Sequence, residues 1–141
     1  MSTRRETIIQ AVVTALTGTA GVSTRIYRSR TQALIRGEAP ALIVEPLRDD
    51  PRNDALPKLD WTLRIQVAIF TRGTPADQLA DPIVESVHSR LVGNQPLLGL
   101  ITGITPGPTE FMMVDGDQDA GITSLIYEVR YRTSFANLAT P

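Results

Sequence analysis

The stretch Leu59–Thr71, LDWTLRIQVAIFT, decides the fold. Its odd-numbered positions are apolar as far as Ile69, and most of the positions between them are polar, which is the two-residue period of a strand with one buried face. Residues 72–77, RGTPAD, follow at once and carry the signals of a helix start. We therefore predict a long, half-buried strand that leads directly into a helix.

Two amphipathic helices flank this strand in the sequence. The first is predicted from Thr3 and Glu6, which have the spacing of a capping box, to Gly18, which ends it. The second is predicted to start with Thr74 as N-cap and Pro75 as first helical residue, with Asp77 following, and to end at Gly93. Its predicted buried stripe is Leu79, Ile83, Val84, Val87 and Leu91.

Proline shapes two further predictions. Pro82 lies inside the second helix and removes a backbone hydrogen bond, so we expect a kink there or a restart at Asp81. Residues 48–58 mix Pro51 and Pro57 with several charges, which predicts a mobile hairpin loop. The remaining predicted strands are Val22–Arg28, Ala41–Val44, Ile101–Thr105, Thr109–Val114 and Ile122–Thr133.

These elements predict one α+β domain over residues 1–141, a mainly antiparallel sheet with both helices on one face. The chain has no cysteine, which excludes disulfides and thiolate metal sites. No apolar run approaches the ~18 residues of a membrane span. The net charge of −1 argues against bulk attachment to nucleic acid or to an anionic membrane. We predict no cofactor, no metal and no membrane or specific nucleic-acid partner.

Chemical signals are sparse. Residues 115–119, DGDQD, imitate the start of a calcium loop, but Ala120 and Ile126 stand where glycine and the bidentate glutamate belong. A polar turn is favoured, and cation binding stays open. His88 is the single histidine, and it borders the apolar stripe of the second helix. The sequence has no Gly-x-Ser-x-Gly motif for a nucleophilic serine. We therefore predict that the protein is not an enzyme.

Charge is distributed unevenly along the chain. Residues 1–48 carry +4 and the remaining 93 residues carry −5. The cluster Arg25–Arg36 around Tyr27 fits a small nucleic-acid-binding module, a solvated edge, or a contact with the acidic part of a neighbouring copy. On the third interpretation, and from the polar face of the sheet, the candidate subunit-interface residues are Arg28, Arg30, Arg36, Asp49, Asp50, Asp54, Arg64, Arg130 and Arg132.

The order of elements resembles the tail terminator (tail completion) proteins of long-tailed bacteriophages, a family that includes minor tail protein U. The segments that carry the resemblance are Arg5–Leu16, Ile26–Arg30, Pro40–Pro46, Leu63–Arg72 with Ala76–Leu91, and the final strand with Tyr127–Thr133.

The resemblance implies a structural protein that forms a homo-oligomeric ring, a hexamer in the family, on the finished tail tube. Such a ring stops tube polymerisation and offers a surface for head joining. The implied partners are the tail tube protein and the head–tail connector protein. The implied location is the host cytoplasm during assembly and then the virion tail.

Overall fold

A computed structural model describes residues 2–30, 32, 36–114 and 120–141. In these residues a five-stranded sheet has the order β1-β2-β3-β5-β4, with β1 parallel to β2 and the other neighbours antiparallel. The strands are β1 Ile26–Arg28, β2 Ala41–Ala55, β3 Lys58–Arg72, β4 Gly103–Val114 and β5 Ala120–Ser134. The helices are α1 Arg4–Ala15, α2 Ala76–Gly93 and α3 Gln95–Leu98, with a 3-10 turn at Arg36–Glu38.

The core lies between α1, α2 and one face of the sheet. The odd residues of β3 from Leu63 to Ile69 are buried, as the alternation predicts. They meet the odd residues of β5 from Leu125 to Tyr131, because the register sets Leu63 opposite Val129. The predicted α+β class with helices on one face is therefore confirmed.

The predicted loop at residues 48–58 is wrong. β2 continues to Ala55 and pairs with β3 almost throughout, leaving a two-residue turn at Leu56 and Pro57. The prolines are tolerated because β1 pairs only with residues 42–44, so the rest of β2 lies at the edge of the described sheet. A register shift between Pro46 and Arg48 also turns Asp49 to the helix side, opposite Leu63.

Helix α1 begins where the sequence predicts, but the capping box is one-sided. The Glu6 amide donates to Thr3 Oγ1 at 3.2 Å, whereas the Glu6 carboxylate accepts from Arg28 instead of the Thr3 amide. Helix α2 differs more. Its N-cap is Pro75, which offers no side-chain cap, and it passes Pro82 without a restart.

The buried stripe of α2 is Ala76, Ala80, Ile83, Val87 and Leu91, so the predicted burial of Leu79 is wrong. Small residues lead this stripe because the first turn lies close to β5. A Cβ placed on Gly121 would lie 2.7 Å from the Cβ of Ala76. The helix can approach the sheet this closely because Gly121 has no side chain. Leu79, on another side of the helix, is 44% exposed.

Candidate subunit interface

Arg28 lies at the end of β1 and pairs with helix α1. Its guanidinium donates twice to the Glu6 carboxylate, from Nη1 to Oε2 and from Nη2 to Oε1, the latter at 2.6 Å. These hydrogen bonds from Arg28 hold the pKa of Glu6 below its ordinary value. A charge predicted to face a neighbouring copy is therefore neutralised inside the subunit.

Arg30 is engaged in the same way. It donates to both Glu38 carboxylate oxygens, at 2.6 and 2.9 Å, and stacks 4.5 Å above the ring of Tyr27. The Tyr27 hydroxyl donates to the same carboxylate at 3.0 Å. Arg25 donates to the carbonyls of Pro40 and Gly21, so it braces the turns that precede β1 and β2.

Asp49, a candidate interface residue in the predicted loop 48–58, lies in β2 with its side chain directed inward. Its side chain is only 8% exposed, accepts a hydrogen bond from the Tyr131 hydroxyl and lies 3.4 Å from Arg5. Its Oδ1 has no hydrogen-bond partner among the described residues. Burial raises the pKa of Asp49, and burial with the Asp49 contact also raises the pKa of Tyr131.

Two other candidates form exposed pairs on the surface. Arg48 Nε donates to Asp50 at 2.8 Å, and Arg132 Nε donates to Asp60, its cross-strand neighbour, at 2.7 Å. The hydrogen bond from Arg132 lowers the pKa of Asp60. Such exposed pairs contribute little to stability.

Arg64 and Arg130 lie on the helix-free face of the sheet, as predicted, opposite Glu128 and Thr62. The side chains of Arg36 and Asp54 are outside the described part of the structure. The seven candidates whose side chains are described thus do not form one surface: Arg28 and Arg30 lie near β1, the Asp49 side chain is buried, and Asp50, Arg64, Arg130 and Arg132 spread over the sheet. Their role between copies stays a prediction.

His88 extends from α2 towards the core rather than into a cleft. Its Nδ1 lies 3.0 Å from the Tyr127 hydroxyl, and the two rings stack with centroids 6.0 Å apart. The Ser86 hydroxyl accepts from the Ala20 amide at 3.2 Å. The serine hydroxyl and the imidazole therefore do not contact each other as a nucleophile and base would, because each has a different structural partner.

No metal centre emerges from the described residues, which contain no cluster of three or more potential ligands among His, Asp and Glu. The segment 115–119, where cation binding was left open, lies outside them. Within the same described ranges, no helix has the length and apolarity required to span a membrane.

An apolar surface at the far edge of the sheet is not among the residues predicted from the sequence. Phe111, Met112 and Met113 of β4 are 68%, 63% and 62% exposed, although they are large and consecutive. We call these three residues the apolar edge. Their signal in the sequence was the run FMM itself, which does not alternate as a half-buried strand should.

A second apolar feature is a surface pocket of about 260 Å³ beside the start of α2. Its walls come from the turn at Ala20 and Gly21, from Pro40 before β2, from the end of β3 at Thr71 and Arg72, and from α2 at Leu79, Pro82 and Ile83. Leu79, which the helical pattern assigns to the core, lines this pocket instead.

The fold is that of a known virion component. A chain in the virion of a native gene transfer agent particle has a similar structure, with a TM-score of 0.64 and 16% sequence identity. The match covers 88% of this chain and 93% of that one, so nearly the whole fold is shared. No model of a known protein family matches the sequence, and no curated protein does.

Proposed function

We propose that the chain is a structural component of a phage-like virion, with the role of a tail terminator. It forms a homo-oligomeric ring on the end of the tail tube, stops tube growth and presents a surface for head joining. The observation that carries the proposal is the similarity over most of both chains to a component of a gene transfer agent particle. The order of elements in the sequence, which resembles tail terminators, supports the finer role.

The contacts of the charged residues favour this role over the nucleic-acid alternative. A phosphate site needs arginines that can exchange counterions for phosphate oxygens. Arg28 and Arg30 instead meet Glu6 and Glu38 at hydrogen-bond distance. The partners of His88 and Ser86 favour a structural role over a catalytic one.

The test is polymerisation of the tube protein encoded in the same genome, with and without this protein. We expect the tube protein alone to give tubes of uncontrolled length and the mixture to give short tubes with a ring at one end, visible by electron microscopy. Native mass spectrometry should show a closed oligomer, alone or bound to tubes. Unchanged tube lengths and a monomer at every concentration would contradict the proposal.

A further inference from the structure

The apolar edge is a surface that a soluble subunit rarely leaves open. β4 pairs with β5 alone among the described strands, so its outer backbone groups face outward. Its first half is guarded by Pro106, by Pro108 and by the register shift between Pro106 and Thr109. Residues 109–114, TEFMMV, have only Glu110 as a charge. Phe111 and Met113 share the helix-side face of β4, opposite Thr123 and Gly121, whereas Met112 lies on the other face. An unguarded strand edge with exposed apolar side chains is typical of a covered interface.

The pocket beside α2 has matching chemistry. Its lining surface is mainly apolar, with Thr71 and Arg72 as the polar residues, and its volume of about 260 Å³ exceeds the roughly 150 Å³ in which an apolar cavity binds benzene. A phenylalanine ring therefore fits, with room for part of a methionine side chain. Burying an aromatic side chain in such a pocket removes ~150–250 Å² from water.

The strand register sets the pocket and the apolar edge at the same level of the sheet. Thr71 of the pocket pairs with Gly121 in β5, and Gly121 pairs with Met113 of the apolar edge. The other pocket walls, at Gly21 and Pro40, lie on the β1–β2 side of β3, away from β4. Each subunit thus carries an exposed apolar surface and a recess towards opposite edges of the sheet, as a head-to-tail contact that closes into a ring requires.

We propose that Phe111 of one copy, with Met113 beside it on the same face of β4, docks in the pocket next to α2 of the following copy. This inference rests on the proposed ring and names its contact. It assigns the exposed Leu79 a role as part of the receiving wall.

Complementary blocked variants test the contact. Phe111→Asp removes the protruding ring, and Ala20→Trp fills the pocket from an exposed position on its rim. Leu79→Glu is a second pocket variant in case Ala20→Trp perturbs folding. Each variant is expected to associate at least tenfold more weakly than the wild type, as for a central aromatic contact.

Mixing Phe111→Asp with Ala20→Trp should restore one contact, because each retains the surface that the other lacks. Native mass spectrometry should then show a one-to-one dimer and no ring. Leu56→Asp is the matched control, since Leu56 is 73% exposed at the β2–β3 turn and should be neutral for association. Circular dichroism and melting temperature establish that each variant is folded.

The outcomes separate this inference from the proposed function. If folded Phe111→Asp and Ala20→Trp proteins still assemble like the wild type, the docking contact is wrong and the ring stands. If both variants are monomeric but their mixture gives no dimer, the head-to-tail pairing of these two surfaces is wrong. If the wild type is monomeric both alone and on tail tubes, the proposed ring is wrong, and the docking contact that depends on it is wrong as well.

Discussion

The two edges of the sheet differ in whether their surface residues have partners within the subunit. On the β1–β2 side, charged groups have partners within the subunit, as in the pairs of Arg28 with Glu6 and Arg30 with Glu38. At the β4 edge, the apolar edge is exposed, and Glu110 is the one charged residue of the segment 109–114. The conspicuous charges therefore stabilise the fold of the subunit, whereas the less conspicuous apolar run stays exposed.

The largest expected effect contrasts the core with the apolar edge. Leu63→Ala should lower the free energy of unfolding by about 2–5 kcal/mol, because Leu63 is fully buried and leaves a cavity. Phe111→Ala should change the stability of the monomer by less than about 0.5 kcal/mol. Urea denaturation of both variants below the concentration of association measures the contrast. A large loss for Phe111→Ala would show that Phe111 packs within the subunit.

A smaller loss is expected at the buried carboxylate. Tyr131→Phe removes the hydroxyl that donates to Asp49 and should cost about 1–3 kcal/mol, because the carboxylate is then more poorly satisfied. The matched control is Tyr127→Phe, whose hydroxyl contacts His88. A loss in Tyr131→Phe no greater than in Tyr127→Phe would contradict the structural role of Asp49.

The pair of Arg28 with Glu6 should give a weak but pH-dependent effect. Glu6→Gln should cost about 0.5 kcal/mol at neutral pH, a value typical of partly exposed pairs. The folded-state pKa of Glu6 is lowered, so this contribution is present above the ordinary glutamate pKa and is lost as pH falls through the lowered value. Denaturation of wild type and variant at several pH values should show the difference closing in acid. If the difference in unfolding free energy stayed constant with pH, the titration of Glu6 would not be its cause.

The smallest effect is expected from Arg28→Glu combined with Arg30→Glu, measured on association. Because both arginines already pair inside the subunit, association should weaken by no more than about two- to threefold. A larger loss that Asp49→Arg with Asp50→Arg reverses would establish the charged contact between copies instead. Salt-dependent DNA binding that the Arg changes abolish would support the nucleic-acid module.

The sequence was sufficient for the parts of the fold that rest on periodicity. Residues 59–71 alternate, and the structure has β3 there with its odd side chains inward. The failures have local physical causes. Prolines and charges made residues 48–55 resemble a loop, whereas an edge position lets β2 accommodate them. Leu79 has the helical spacing of a core residue, but it lies over a pocket.

The candidate site was less predictable because it depends on partners distant in sequence. Arg28 meets Glu6 across 22 positions, and Tyr131 meets Asp49 across 82. The inward position of Asp49 follows from the register shift after Pro46, which no charge pattern reveals. Arg64 and Arg130, by contrast, follow from simple alternation along their strands and lie on the predicted face.

One absent methyl group at Gly121 has a mechanical consequence at the other side of α2. Helix α2 belongs to both contacts, because its first turn packs on Gly121 while Leu79 and Ile83 form a wall of the pocket. Adding a Cβ at residue 121 would push Ala76 away from β5 and tilt helix α2. The width of the pocket therefore depends on the distance between α2 and β5. Gly121 sets that distance, although it does not line the pocket.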